Sequence, residues 1–341
     1  MKWWARIVGT IFLGLVMAGC SRPRVMEIDG FAEGTTYHIK YWSPQAVSEE
    51  TLRSAFNDAM ADVDTQISTY RKDSIVENFN HNPSTDWQPL PAQVMDLLAI
   101  AQHVYRESHG CYDPTVKPLF DLWGFHADVF HAPTPGQIVA TKKEVGFDNI
   151  VLDVAHHRVR KAIPSISVDL SSMGEGYTAW RLSKVLEQHG IKNYLVEFGG
   201  DMWVKGHKPG GRKWRIGIER PVPNTLSVQK GVRVNDNNGV SINTSGTYRH
   251  FFAEHGKTYS HILDPRTGAP VTHDLVSATV FGNDPRVSDA WATAMLCLGQ
   301  KQGMEVARKE HLKVFFIQQE NGRLVESRSP ALIQSHAVSM Q

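Results

Sequence analysis

Apolar residues recur along this chain at two spacings, every three to four residues in some stretches and every second residue in others. After Ser48, a plausible N-cap, Leu52, Phe56, Met60, Val63 and Ile67 keep helical spacing and predict a long amphipathic helix ending near Ser68, Thr69 and Tyr70. The polar, proline-bearing sequence 71–89 predicts a loop. Pro91 opens a second helix whose Val94, Leu97, Leu98, Ala101 and Val104 face inward and whose stop is Gly110. Aromatics set among prolines at 111–125 predict a buried corner, and Thr134-Pro135 starts a third helix. Period-two stretches predict strands at 35–42, 149–152, 158–161, 194–198, 214–219, 231–234, 240–243, 257–263, 276–281 and 313–317, with a helix at 288–298 between the last two.

Strands and helices interleave without regular βαβ alternation. The pattern predicts an α+β fold with mixed, largely antiparallel sheets and flanking helices, in preference to a doubly wound sheet.

One stretch, VDLSSMGEGY at 168–177, is the junction of the two periods. Ile166, Val168 and Leu170 alternate as a half-buried strand does. Gly174 and Gly176 follow, and Ala179, Leu182, Val185 and Leu186 then keep helical spacing over 177–189 until Gly190. A strand, a glycine turn and a helix N-terminus together offer backbone amides to an anion. A tight connection with no ligand has the same pattern.

Composition narrows the function classes. The 341 residues are 41% apolar and 21% charged, with 36 basic against 35 acidic side chains and no basic block, so nothing supports a nucleic-acid partner. Sixteen histidines invite a metal reading, but none stands in an HExxH pattern, and His156-His157 falls in an apparent hairpin turn.

The N-terminus predicts export. Lys2 and Arg6 precede an apolar run at 7–18, long enough for a signal-peptide core and too short to span a bilayer. Met17-Ala18-Gly19-Cys20 resembles a bacterial lipoprotein signal, which makes 1–19 the signal, Cys20 the lipidated residue and 20–30 a tether. A plain secretory signal or anchor is the other reading of the same run. Beyond Cys20 only Cys111 and Cys297 remain, one pair at most, and their spacing does not demand a disulfide.

The candidate chemistry lies in short blocks. Ser288 reads as an N-cap, which sets Asp289 and Thr293 on one helical face, four residues apart. Their hard oxygens suit Mg²⁺ and not zinc; equally, Asp289 favours a helix dipole with no metal present. His261, in SHIL before the turn DPRTG, fits a general base or a hydrogen-bonded core histidine. Asp113 and Asp169 stand next to turns, where capping is the default role.

Taken together, these blocks resemble the ApbE family, the FAD:protein FMN transferases. The resemblance rests on GTTY at 34–37, STYRKDSIVENFN at 68–80, CYDPTVKPLFDLWGF at 111–125, VDLSSMGEGY at 168–177, YLVEFGGDMW at 194–203, TSGTYRHFF at 244–252, SHILDPRTG at 260–268 and SDAWATA at 288–294. It implies a T-fold-like single catalytic domain over 31–330 with a tail at 331–341. It also implies transfer of FMN from FAD to a Ser or Thr hydroxyl through a phosphoester, with release of AMP. By the same resemblance Tyr70, Cys111, Tyr112, Asp113, Asp169, Glu175 and Ile262 contact FAD. Asp289 and Thr293 supply metal side chains, Ser172 and Ala292 supply backbone carbonyls to Mg²⁺, and His261 is the base. The implied acceptors are exported subunits of membrane redox complexes, of the NADH:quinone reductase and Rnf types. The site would then face the periplasm, anchored through Cys20 to the inner or the outer membrane; Ser21 lacks the aspartate associated with inner-membrane retention. An FAD pyrophosphatase giving FMN and AMP, and a non-catalytic FAD-binding lipoprotein, are the competing functions.

Overall fold

The computed structural model describes residues 23–341 except 126, 128, 224–226 and 255–256. The expected signal at 1–19 and lipidated Cys20 lie outside the described residues.

Period-two sequence builds one large sheet. Its eight strands, Met26–Ala32, Thr35–Trp42, Asn193–Phe198, Asp201–Lys205, Val240–Gly246, Leu275–Gly282, Lys313–Glu320 and Arg323–Arg328, lie side by side in chain order. Every neighbouring pair is antiparallel. The helices enter as insertions into this meander or follow it: α1 (Glu49–Ile67), α2 (Ile75–His81), α3 (Ala92–Glu107), α4 (Lys117–Trp123), α5 (Pro135–Thr141), α6 (Gly174–Gln188), α7 (Pro285–Lys309) and α8 (Pro330–Gln334). This is the expected α+β class with antiparallel sheet and flanking helices.

Alternation along each strand gives the sheet two apolar faces. On one, Val196 and Phe198 pack with Leu52, Phe56 and Met60 of α1 and with Ala179, Leu182 and Leu186 of α6. On the other, Leu195, Val204, Ile242 and Phe281 meet Ile216, Val232 and Val338 of a three-stranded sheet, Arg215–Glu219, Val228–Val234 and Val338–Met340. α7 lies against the strands Val240–Gly246 and Leu275–Gly282, beside α6.

The structure corrects several expectations. The loop expected at 71–89 contains α2, where Ser74 Oγ accepts from Glu77 N and Val76 and Phe79 are buried; seven residues are too few to show a helical period. The corner at 111–125 contains α4, with proline in its first turn and Gly124 closing it at φ 81°. Residues 166–170 join no ladder, and Leu170, at φ −99° and ψ 10°, has already left the extended conformation. Asn80 receives the Val168 N–H at 2.8 Å and donates back to its carbonyl at 2.8 Å, and Asp169 N donates to Pro114 O at 2.7 Å. The stretch 257–263 splits between two short hairpins.

Termini and helix ends shift too. The expected tether ends early, because Met26–Ala32 is already the sheet's first strand. Residues 331–341 are not a free tail: Val338–Met340 pairs with Val228–Val234, adding main-chain hydrogen bonds and a buried Val338. α7 starts three residues before Ser288, capped by Asp284, whose carboxylate accepts from Arg286 N at 3.0 Å. Ser288 sits inside the helix and its hydroxyl bonds Ser241 Oγ at 2.6 Å. The expected end at 298 coincides with a break at Gly299, after which the chain resumes a helix to Lys309.

Candidate active site

The glycine stretch proves to be the first turn of α6 and not a turn ahead of it. α6 starts at Gly174, so Glu175 and Gly176 are helical, and no side chain caps its N-terminus. The exposed amides instead meet a carboxylate from another helix: Gly176 N donates to Asp289 Oδ2 at 2.9 Å. This geometry requires glycine. A Cβ at 176 would stand 2.4 Å from Pro285 O and 2.8 Å from Asp289 Cβ, closer than real atoms come. Gly176 is therefore the seat of the α6–α7 crossing.

Two further carboxylates converge on Asp289. Glu175 folds under the hairpin between Asn193–Phe198 and Asp201–Lys205, where a Cβ on Gly199 would lie 2.1 Å from Glu175 Oε1. Gly199 also has φ of 63°, so the hairpin needs it twice over. Asp201, first in its strand, points to the helical side of the sheet with Trp203 and is 2% exposed. Its Oδ1 accepts from Thr244 N at 3.1 Å.

Burial raises the pKa of all three acids, and repulsion among them adds to it for Asp289 and Glu175. For Asp289 the causes are burial, then Asp201, then Glu175. For Glu175 burial comes first and Asp201 second, with Arg249 opposing. Asp201 is raised by burial against hydrogen bonds that lower it. Glu33, exposed beside the cavity, has its pKa raised as well, by desolvation from the protein groups packed around its carboxylate. Thr293 lies one turn beyond Asp289, part-buried, its Oγ1 3.2 Å from Ser245 Oγ.

Beside this cluster opens a cavity of about 610 Å³, lined by Glu33, Val63, Ile67, Tyr70, Glu175 and Phe198 among others. The structure thus brings Tyr70 and Glu175 to one wall.

The family comparison can be set against this geometry. The ApbE family model matches residues 34–316. The chain belongs to the ApbE family. It is 37% identical over 302 residues to an FAD:protein FMN transferase of Salmonella typhimurium, covering 87% of this chain and 85% of that protein. A Haemophilus influenzae protein of the same name is 35% identical, covering 94% of each. Among solved structures, the flavin transferase ApbE of Vibrio cholerae superposes with a TM-score of 0.82 at 32% identity, covering 91% of this chain and 99% of that one.

The donor chemistry of this ApbE chain fits a hard divalent cation. Asp201 Oδ2 is fully buried without a well-placed donor among the described residues, and Asp289 faces two further carboxylates. A desolvated anion without a counter-charge is costly, and a cation among oxygen donors relieves it. Among the described residues, the grouping of Cys111, Cys297 and Asp264, whose sulfur and carboxylate atoms lie within 4.8 Å of one another, is no metal site. There the two sulfurs are bonded to each other and Arg266 holds the Asp264 carboxylate at 2.8 and 2.9 Å.

That disulfide ties the loop 111–115 to α7 one turn past Thr293, with a Cα–Cα distance of 5.8 Å. The spacing of the two cysteines had left the pairing open. Cys111, expected to touch FAD, is 2% exposed with its sulfur engaged, so its side chain is structural. Tyr112 is buried, its hydroxyl accepting from Ser172 Oγ at 3.2 Å. Asp113 is buried, its carboxylate taking both the amide and the hydroxyl of Thr115 at 2.8 and 2.6 Å; burial raises its pKa to about 6. Asp169 accepts from Ser171 N at 2.9 Å. Ala292 is fully buried on α7.

His261 and Ile262 stand on the segment between the two short hairpins. Ile262 is 7% exposed, its N–H donating to Ser260 Oγ and its carbonyl accepting from Val271 N. His261 Nδ1 donates to His250 O at 2.8 Å, which leaves Nε2 as the acceptor. Burial lowers its pKa to about 4, with the His250 carbonyl opposing. Sequence reasoning missed Asp201. Its signal was a carboxylate at a core-facing position of DMWV, directly after Gly199-Gly200.

Proposed function

We infer that the chain is a transferase that moves FMN from FAD to a protein, forming a phosphoester with a Ser or Thr hydroxyl and releasing AMP. Membership of a family whose relatives are named FAD:protein FMN transferases supports the activity. The observation that carries the site is the contact of Asp289 with the start of α6, which joins a carboxylate cluster to the wall of the 610 Å³ cavity.

In this reading the acceptor oxygen attacks the FMN phosphorus of FAD, the bond to the AMP oxygen breaks, and AMP leaves. Mg²⁺, held by Asp289 and Thr293 with carbonyls of Ser172 and Ala292, supplies charge neutralisation on the pyrophosphate when bound. Tyr70 and Glu175 position the nucleotide from the cavity wall. Gly176 keeps the Asp289 carboxylate in place by donating to its Oδ2, leaving the other oxygen for other partners. His261 takes the acceptor's proton at Nε2. Its low pKa keeps it unprotonated at neutral pH, so Nε2 is free to accept a proton.

His261→Ala is expected to slow transfer roughly a hundredfold or more while FAD still binds. Equilibrium binding measured by flavin fluorescence checks this; loss of binding with a normal melting curve makes His261 a nucleotide contact and removes it as the base.

The function itself is tested by incubating the protein with FAD, Mg²⁺ and a Ser- or Thr-containing subunit of a membrane redox complex. Covalent fluorescence on a denaturing gel with AMP supports transfer. AMP with free FMN marks a pyrophosphatase, and neither product marks a binding protein.

Export and anchoring through Cys20 to the periplasmic side of a bacterial membrane belong to the same proposal, supported by Lys2, Arg6 and the apolar run 7–18. Cys20→Ala is expected to leave the protein soluble in the periplasm. A variant that stays in the membrane fraction makes the apolar run itself the anchor.

A further inference from the structure

The carboxylate that sequence reasoning missed has no role in the mechanism above. Asp201 opens its strand at the hairpin Gly199-Gly200, 2% exposed on the helical side of the sheet. Its two oxygens differ. Oδ1 is held by the Thr244 amide at 3.1 Å, which fixes the plane of the carboxylate. Oδ2 is sealed from solvent and has no donor in good hydrogen-bond geometry among the described residues, although the Asn243 and Asp289 side chains stand beside the carboxyl. At the α6–α7 crossing the Asp201 and Asp289 carboxyls stand within hydrogen-bond reach of one another.

Two acids brought face to face in the interior repel unless something positive or a shared proton stands between them. Without a cation the two acids can meet only by sharing a proton, and among the described residues no side chain supplies a positive charge between them. Among the described residues neither Asp201 nor Asp289 has a Lys or Arg in an ion pair, and Arg249, above the hairpin, pairs with Glu219 at 2.7 Å. The backbone is built to bring the pair together all the same. Gly176 permits the close crossing that presents Asp289, and Gly199 permits the hairpin that presents Asp201.

We propose that Asp201 is a further side-chain donor to the divalent cation held by Asp289 and Thr293, so that the cation joins the central sheet to α7. The inference rests on the flavin-transferase reading only in taking a cation at Asp289. With two carboxylates and one hydroxyl, the site holds the cation through hard oxygens from two separate elements, and water or phosphate completes the shell. Ala at 201 would leave an unpaired Thr244 amide; Asn preserves that bond and removes only the charge.

The test needs no FAD and no acceptor. Mn²⁺ is titrated into the purified protein and its binding followed by electron paramagnetic resonance, for wild type, Asp201→Asn, Asp201→Glu and Asp289→Ala, with melting curves for each. Asp201→Asn is expected to weaken Mn²⁺ binding at least tenfold without lowering the cation-free melting temperature, and Asp289→Ala to remove the site. Wild-type affinity in a folded Asp201→Asn variant, with binding lost in Asp289→Ala, overturns the role of Asp201 and leaves the cation reading intact. Unchanged binding in Asp289→Ala removes the cation reading and the role of Asp201 with it. If Asp201→Asn does not fold, Asp201→Glu decides. Its carboxylate lies one methylene further out, so a change in Mn²⁺ affinity of threefold or more is expected, and an unchanged affinity overturns the proposal.

Discussion

Asp289→Ala is expected to lower flavin transfer about a thousandfold or more, the scale reached when a preorganised charge-stabilising group is removed from an active site. The fold is expected to survive. A cleft carboxylate would be nearly free to remove, but Asp289 is 8% exposed and its Oδ2 receives the Gly176 N–H at 2.9 Å. Losing that acceptor leaves a buried donor unpaired, at a cost of about 1–3 kcal/mol. Against it stands relief of repulsion from Asp201 and Glu175, which with burial holds the Asp289 pKa well above the usual carboxylate range. The sign of that second contribution depends on pH. An acid whose folded pKa is raised binds its proton more tightly folded than unfolded, so stability falls as pH rises from the unfolded value near 3.8 through the raised one. Without a cation, Asp289→Ala is therefore expected to melt closest to wild type, or above it, at alkaline pH. Circular dichroism against pH and the gel assay for covalent flavin measure the two effects separately. A folded variant that transfers flavin at the wild-type rate takes Asp289 out of the site.

Gly176→Ala is the substitution expected to cost most stability. The added methyl would meet backbone oxygen of Pro285 at 2.4 Å and Asp289 Cβ at 2.8 Å. Neither is the end of a flexible side chain, so the helices must separate, at a cost of about 1–3 kcal/mol and in a chain of this size roughly 1–4 °C in Tm. Separation also lengthens the bond from Gly176 N to Asp289, so transfer is expected to fall with stability. Gly174→Ala is the control. One residue pair earlier in the same turn, its Cβ would find only Ile67 Cδ1 at 3.9 Å, and alanine has the better helix propensity. Equal melting temperatures for the two alanine variants sink the crossing argument.

The contrast between these glycines shows how far the sequence reached. It marked 168–177 as a junction between periods and placed both glycines there, but read them together as one turn. Periodicity reports whether a residue faces a core; it does not report what another helix brings to the same spot. A helix that begins at Gly174 and a partner that begins at Pro285 put Asp289 against the Gly176 amide, and neither boundary was visible, since caps by Asp284 and by tertiary contact carry weak local signals. The pairing of Cys111 with Cys297 is similar. One pair was allowed by the count, while the 5.8 Å between their Cα atoms is a property of the folded chain.

His261 illustrates the other limit. Its block marked it as a candidate base, and its nitrogen roles follow from the His250 carbonyl, yet the fall in its pKa to about 4 comes from burial that no spacing encodes. Asp201 is the reverse case, a residue with no motif prominence whose partners are Thr244 and Asp289, far away in sequence.

By itself the sequence determined the α+β class, most strands, the long helices α1, α3 and α7, and the blocks that carry Tyr70, Glu175, Asp289, Thr293 and His261. The class, strands and helices rest on local period and residue chemistry, which act over a few positions; the roles of the blocks rest on resemblance to the ApbE family. Only the tertiary structure decided which carboxylates share one desolvated pocket and which expected contacts turn inward, as Cys111 and Asp113 do. Burial, charge repulsion and the fit of two helices across Gly176 depend on the distance between atoms, and that distance is fixed only when the sheet and helices have packed.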